Sequence, residues 1–328
     1  MKAIVQHRYG SPDELTLADV DTPVPAADAV LVRVRAASLN ARDWHLMRGD
    51  PYIARLSPDF GRRGPKAPVR GSDFAGTVEA VGSDVTRLRP GDEVYGESDG
   101  ALAEYVSAPE RRVARKPAHL TFEQAAAMPL AATTALQGLR GRVGPGQSLL
   151  INGASGGVGT FAVQLAHAYG AQVTGVCSTR NAELVRSLGA DHVVDYTRDD
   201  AFRAGRRYDV VLDLVGNRSL RDLRRALTPD GTLVLSGGGV SEGGSLFGPI
   251  GLLLRSKLAA PFVRHRIVAL STSPGAEHLD ALRELAEAGT IVPAVDRTYP
   301  LPAAADALRY LEGEHARAKV VITVHAGG

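Results

Sequence analysis

At 328 residues the chain exceeds what a single hydrophobic core ordinarily serves, so two domains are expected. Its 44% hydrophobic and 23% charged content is that of a soluble globular protein, and a net charge of +2 gives no ground for nucleic-acid or membrane partners. Cys177 is the only cysteine, which excludes an internal disulfide and a cysteine-cluster zinc site. The opening MKAIVQHRYGSPDEL lacks an apolar stretch and meets acids early, so no signal peptide is read there and the cytoplasm is the expected location.

Residues 1–120 read as β-rich. Lys2–Gln6, Leu15–Asp19, Ala29–Ala36, Gly76–Val81 and Glu104–Ser107 are short apolar or alternating runs, with Pro23, Pro25, Gly82, Pro90, Gly91 and Gly100 as turn signals between them. Strands at this spacing without intervening helices predict a rolled or barrel-like domain. Between them, Asp50–Arg70 has little periodicity and carries Arg55, Arg62, Arg63, Lys66 and Arg70. Its plain reading is a mobile basic loop; the alternative is a lid or a collector of acidic substrates.

From residue 121 to about 271 helix and strand alternate. Thr121 stands three residues before Gln124, a capping-box spacing that opens a helix. Ser148–Asn152 reads as a strand, Gly153–Gly159 as a glycine-rich turn, Thr160–Tyr169 as a helix and Gln172–Cys177 as a second strand. The pattern continues with a helix over Asn181–Leu188 and strands over Asp191–Asp195 and Tyr208–Val215. A helix over Ser219–Leu227 and a strand over Thr232–Ser236 follow. This alternation predicts a doubly wound parallel sheet. Leu246–Val263 is apolar but broken by Pro249, Arg255, Lys257 and Pro261, too interrupted to cross a bilayer, and is expected as a buried helix pair beside a pocket. Arg266–Ser271 is expected as the last strand of the sheet and His278–Ala288 as a helix. The tail 272–328 ends in KVVITV, a strand able to return to the first domain.

The glycine turn carries the strongest chemical signal. Gly153, Gly156 and Gly159 lie three apart between a strand and a helix, where glycine permits a tight turn, close approach of backbone to phosphate and close helix–sheet packing. The first N–H groups of that helix lack partners within it and carry partial positive charge, so a dinucleotide's diphosphate is the expected occupant. In such sheets ligands bind beyond the carboxyl ends of the strands. Cys177–Arg180, Leu214–Gly216 and Ser236–Gly239 are therefore expected to line one crevice with the turn.

Several separate motifs occur in order: GSDFAGTVEAVG at 71–82, RPGDEVYG at 89–96, GALAEYVSAP at 100–109, INGASGGVG at 151–159 and KVVITV at 319–324. Together with the β-rich first domain, they resemble the medium-chain dehydrogenase/reductase superfamily, and within it the zinc-independent quinone oxidoreductase (zeta-crystallin-like) branch. The resemblance covers nearly the whole chain. It implies an α/β fold with a GroES-like domain over 1–120, a Rossmann nucleotide-binding domain over 121–271, and a segment, 272–328, that completes the first domain. It also implies a homodimer pairing edge strands, for which Arg266–Ser271 is the natural edge. Zinc-dependent members carry a metal-binding Cys where this chain has Asn40, and Gly-His-Glu where it has Gly71-Ser72-Asp73. An amide and a hydroxyl are not zinc donors, so no metal is expected.

The second strand of the nucleotide unit ends without the acidic residue that would repel a 2′-phosphate. Cys177 is followed there by Ser178, Thr179 and Arg180, whose hydroxyls and guanidinium donate to phosphate. The resemblance adds Tyr196 near the same phosphate, so NADP(H) is the expected cofactor. It also implies that Asn40 and Thr134 approach the nicotinamide, and that Ser155, Gly156, Gly157 and Val158 cradle the diphosphate. It implies further that Leu214, Val215, Gly216, Ser236, Gly237 and Gly238 flank the nicotinamide ribose and ring, and that Lys319 matches a diphosphate-binding Arg of zinc-containing relatives. Without a metal, a conjugated acceptor is the easier substrate because it spreads the incoming charge to a distant oxygen. The expected reaction is thus NADPH-dependent reduction of a quinone or α,β-unsaturated carbonyl, with Asn40, Arg42, His45 and Tyr52 as candidate donors. Metal-free alcohol dehydrogenation, enoyl-thioester reduction and a non-catalytic NADPH sensor are the alternatives. Trp44 is either core or a platform for a flat substrate.

Overall fold

The computed structural model describes residues 1–57, 60–237, 244–313 and 316–324. The chain divides into two compact units, Met1–Thr133 with Ser273–Gly328, and Thr134–Thr272.

In the first unit the strand Ala29–Leu39 is buried along almost its whole length, and six others join it in one sheet. It pairs antiparallel with Asp73–Val81 and with Tyr105–Pro109, while Asp73–Val81 continues to Glu93–Glu97 and then Val113–Arg115. On its other side the tail strand Lys319–Thr323 returns antiparallel, with Val320 opposite Leu39 and Ile322 opposite Ala37, as the sequence leads one to expect. Val295–Pro300 extends that edge in parallel. Val30, Val32, Val34, Phe74, Val94, Leu102 and Ile322 form the core, and Trp44 lies within it, 1% exposed. Fully burying side chains of this size stabilises by about 1.5–3 kcal/mol each. Trp44 Nε1 donates to Glu312 Oε1 at 2.8 Å, so the ring is core with a satisfied polar handle and is no substrate platform.

The second unit is a six-stranded parallel sheet, its strands in the spatial order His192–Asp195, Gln172–Cys177, Ser148–Asn152, Tyr208–Asp213, Leu227–Leu235 and Arg266–Ala269. That is the doubly wound order, with the change of direction at Ser148–Asn152. Arg266–Ala269 is an edge strand, as expected.

Three expectations shift. The compact division falls at Thr133/Thr134 instead of after residue 120, because the capped helix Phe122–Ala126 belongs with the first unit. Its capping box forms as read, Gln124 N–H donating to Thr121 Oγ1 and Thr121 N–H to Gln124 Oε1. The strands Glu93–Glu97 and Val113–Arg115 carried no clear alternation in the sequence and were not anticipated. The segment Leu246–Val263 is one helix, Gly248–Ala259, and a short 3-10 turn, and it is not buried. Apolar residues lie on all its faces. Leu252 and Leu253 pack on the sheet's core, which leaves Leu258 and Phe262 outward at 75% and 88% exposure. Among the described residues no helix is long and apolar enough to cross a membrane.

Candidate functional site

The glycine turn of the second unit separates two uses of glycine. Gly153 has φ +89°, and a Cβ there would lie 2.7 Å from Val215 Cγ2; at Gly159 a Cβ would come within 2.1 Å of Gly153 O. The fold itself demands glycine at both. Gly156 is different. Its φ is −80°, and the nearest atom to an added Cβ is Gly153 O at 3.5 Å, an ordinary contact. Nothing among the described residues requires glycine at 156, whereas a phosphate brought against the backbone would. The helix Gly157–Ala168 starts here, with the N–H groups of Gly157 and Val158 lacking helical acceptors. These residues suit a diphosphate.

A residue not singled out in the sequence organises the hydroxyls nearby. Asn181, 4% exposed, donates from Nδ2 to Ser155 Oγ at 3.1 Å and to Ser178 Oγ at 3.3 Å. Each serine oxygen thereby accepts from the amide and keeps its own proton for an acceptor outside. Ser155 lies in the turn and Ser178 follows the strand Gln172–Cys177, so one buried amide aligns donors at both places. Tyr196 is held beside them by Tyr196 N–H to Cys177 O, 3.1 Å, with its ring half in solvent. Thr179 is used differently from expectation: its hydroxyl bonds to Asp195, which also accepts from Thr197 N–H at 3.0 Å. Those hydrogen bonds hold the Asp195 carboxyl below its ordinary range. Arg180 is exposed on the same turn. Cys177 is buried beneath, its thiol pushed up to about 11 by burial, and is chemically inert.

The ends of the neighbouring strands are tied together. Asn152 Nδ2 donates to Asp213 Oδ1 at 2.8 Å and to Asn217 Oδ1 at 3.1 Å; Asp213 Oδ1 also takes the N–H groups of Val215 and Gly216. Leu214 N–H bonds to Asn152 O, and Ser236 N–H to Asp213 O. Leu214, Val215, Gly216, Ser236 and Gly237 thus lie beyond the carboxyl ends of adjacent strands, on the same side as the glycine turn. Gly238 and Gly239 lie outside the described residues.

In the first unit a buried polar cluster surrounds Asn40. The Asn40 amide nitrogen donates to Asp73 Oδ2 at 3.0 Å and to Ser72 Oγ at 3.3 Å, while its oxygen accepts from the Lys319 ammonium. Ser72 Oγ donates to Asp43 Oδ1 at 3.2 Å, and Asp43 Oδ2 caps the helix Ala41–Arg48 by accepting from Asn40 N–H at 2.8 Å. Lys319 Nζ also donates to Leu39 O at 3.0 Å and stands 3.8 Å from Asp73 Oδ2. Both are sealed, Lys319 at 2% exposure and Asp73 at 0%. Burial pushes the Asp73 carboxyl up to about 6, opposed by Lys319 and by the Asn40 amide; burial draws the Lys319 ammonium below its usual range.

These contacts revise two residue assignments. The Asn40 amide is spent inside the cluster, so it is a positioning group and not a free donor. Lys319, expected against a diphosphate, is turned inward because the register of its strand places it beside Leu39 and Asn40. Asp43 fixes local backbone. Arg42 pairs with Asp99 at 3.2 Å, and His45 donates from Nδ1 to Asp50 O at 2.8 Å, which fixes its tautomer. Tyr52 is half exposed with the Arg55 guanidinium 4.7 Å over its ring; the same guanidinium sits 4.6 Å over Tyr9 and donates to Gly49 O. That part of the basic loop is a structural clamp. Thr134, which begins the second unit, is buried.

The family described as alcohol dehydrogenase GroES-like domain matches residues 26–118, and that described as zinc-binding dehydrogenase matches 188–322. An Arabidopsis thaliana protein named NADPH-dependent alkenal/one oxidoreductase, chloroplastic, is 37% identical over 98% of this chain and 79% of its own length. The solved quinone oxidoreductase of Coxiella burnetii is 31% identical with a TM-score of 0.86, covering 99% of both chains. The Escherichia coli quinone oxidoreductase, solved in complex with NADPH, is 25% identical with a TM-score of 0.83, covering 99% of this chain and 100% of its own.

Proposed function

The chain belongs to the medium-chain dehydrogenase/reductase superfamily, in its quinone oxidoreductase-like branch, and on that premise we propose that it reduces a quinone or α,β-unsaturated carbonyl with NADPH. The observation that carries this reading is the bonded cluster of Asn40, Ser72 and Asp73. Positions where zinc-dependent relatives hold thiolate and imidazole present an amide and a hydroxyl, hydrogen-bonded to one another. Zinc does not fit that donor set, and no step passes through it. A conjugated acceptor suits such a site because the incoming charge is delocalised onto an oxygen that one donor or a water can satisfy.

NADPH, when bound, supplies the hydride. The Gly157 and Val158 N–H groups, with the Ser155 hydroxyl aligned by Asn181, hold the diphosphate. Ser178, Arg180 and Tyr196 hold the 2′-phosphate, and Asp195 is held in place nearby by its bonds to Thr179 and Thr197. Leu214, Val215, Gly216, Ser236 and Gly237 border the ribose and ring. In the first unit Lys319 and Asp73 fix the Asn40 side chain, which orders the start of the helix that carries Arg42 and His45. The protein works in the cytoplasm as a homodimer joined through the edge strand Arg266–Ala269, which sedimentation would test.

The decisive assay is NADPH oxidation by purified protein with an alkenal, an enone and a quinone against a saturated ketone and an alcohol. Turnover confined to the conjugated acceptors is expected; alcohol oxidation with NADP at comparable kcat/KM would overturn the reading.

A further inference from the structure

The helix Gly248–Ala259 carries two apolar faces. Leu252 and Leu253 pack on the core of the parallel sheet, and Ser256, 1% exposed, lies on the same inward side with its hydroxyl donating to Leu253 O at 2.7 Å. On the opposite side Leu254 and Leu258 are one helical turn apart, and Phe262, in the 3-10 turn Ala260–Phe262, continues their line. Their exposures rise along it, 45%, 75% and 88%, and Phe247, two turns before Leu254, adds 45%. All four side chains therefore fall on one outward stripe. Exposed leucines scattered singly are ordinary, whereas a row of four large apolar groups on one helix face marks a surface that meets a partner.

The fringe of that stripe is basic. At 100° per residue Arg255 and Lys257 fall on either side of the line through Leu254 and Leu258; both are exposed, and among the described residues neither forms an ion pair. Arg264 and Arg266 follow Phe262. From Gly243 to Ala276 the sequence holds these Arg and Lys residues and no aspartate or glutamate, a local excess that the overall charge of +2 conceals. The helix Leu220–Arg225, which packs beside it, adds exposed Arg221 and Arg225. The acids on neighbouring elements are already matched, Asp222 by Arg225 at 3.7 Å and Asp230 by Arg264 at 3.6 Å. Leucine and phenylalanine fringed by arginine and lysine, with no acid among them, suit the boundary of an anionic bilayer, where apolar side chains enter the acyl margin and cations meet lipid phosphates. A second copy of the chain seated on this face about a two-fold axis would instead set two basic fringes against each other. The homodimer contact proposed above uses the main-chain edge of Arg266–Ala269, which is a different surface.

We propose that the outward face of the helix Gly248–Ala259, together with Phe262, docks the protein on an anionic lipid bilayer. The helix has 12 residues, far fewer than the roughly 20 needed to cross the hydrocarbon, so it lies in the plane of the interface. Leu258 and Phe262 protrude farthest and enter deepest. Arg255 and Lys257 lay their stems along the apolar layer and place their charges at the level of the phosphates. Attraction of this kind grows with the anionic lipid content and falls with salt.

Sedimentation of the whole protein with vesicles tests the proposal without any turnover. Wild type should pellet with vesicles of phosphatidylcholine containing about one-third phosphatidylglycerol, stay in solution with pure phosphatidylcholine, and be released from the former by high salt. Leu258→Ser combined with Phe262→Ser should lower binding at least about tenfold while leaving the melting temperature and NADPH affinity unchanged, and Arg255→Gln combined with Lys257→Gln should lower it about tenfold. Phe262→Trp should shift its emission to shorter wavelength on anionic vesicles, a change that Trp44, buried in the first unit's core, does not supply. No pelleting with anionic vesicles at low salt would overturn the proposal, as would pelleting that both double variants leave within about twofold of wild type. So would a wild-type oligomer that Leu258→Ser with Phe262→Ser dissociates, since a second copy would then cover this face.

Discussion

The two units bury polar groups to opposite ends. Around Asn40 in the first unit the side chains satisfy one another: amide to carboxylate, hydroxyl to carboxylate, ammonium to carbonyl and amide oxygen. Around the glycine turn in the second, the buried amide of Asn181 turns two serine protons outward and the helix start leaves N–H groups without helical acceptors. The closed network specifies a geometry, and the half-open one waits for an anion. Glycines mark the same distinction within a single turn, since Gly159 is needed by the fold and Gly156 is not.

Substitutions in either unit separate the two kinds of network. The largest effect is expected at Lys319. Lys319→Met removes the one ammonium beside buried Asp73 and should cost about 3–5 kcal/mol of stability, read by urea unfolding, because breaking a buried pair strands its partner. Adding Asp73→Asn should recover part of the loss; no recovery would show that the pair is not coupled. Next comes the turn. Gly159→Ala should lower the melting temperature steeply, whereas Gly156→Ala should leave it within a few degrees yet weaken NADPH binding at least tenfold by calorimetry. Equal behaviour of the two variants would erase the distinction drawn between them. Arg180→Ala should raise KM for NADPH about tenfold and spare that for NADH, since only the former carries the 2′-phosphate. Equal changes for both cofactors would remove Arg180 from the phosphate site.

The smallest effect concerns stability against pH. Glu97 and Asp73 both bind protons more tightly folded than unfolded, so between the ordinary carboxylate range and pH about 8 the folded state holds the extra protons. Stability contributed in this way is present at low pH and is lost as pH rises through about 6 and then about 8. Glu97→Gln should therefore leave the melting temperature nearly unchanged at pH 5 and raise it by a few degrees at pH 8.5. A variant less stable at pH 8.5 than wild type would contradict the sign.

What the sequence disclosed follows a simple division. Local signals were legible: the strand, glycine turn and helix over 148–168, the box at Thr121 and Gln124, and the tail strand KVVIT returning to its antiparallel partner. Contacts made across long separations were not. Asn40 stands out by its position in the motif pattern, but only the fold shows its amide consumed by Ser72, Asp73 and Lys319, which lie 32, 33 and 279 residues away. Glu97 sits in a run with no alternation, and its meaning comes from the register that sets it opposite Asp73. Asn181 owes its part to Ser155, 26 residues away, which the fold brings onto its amide beside Ser178. The apolar stretch at 246–263 had no period, so it gave no indication of which side faces the sheet.

An NADPH-dependent reduction that proceeds from the donors of this chain alone needs no metal. The measurement that bears on it most directly is the rate of NADPH oxidation with a conjugated enone after exhaustive dialysis against a chelator, with zinc content determined on the same sample. Full turnover at substoichiometric zinc, with NADPH strongly preferred over NADH, is the predicted result. Activity that disappears with the metal and returns when zinc is restored would contradict it.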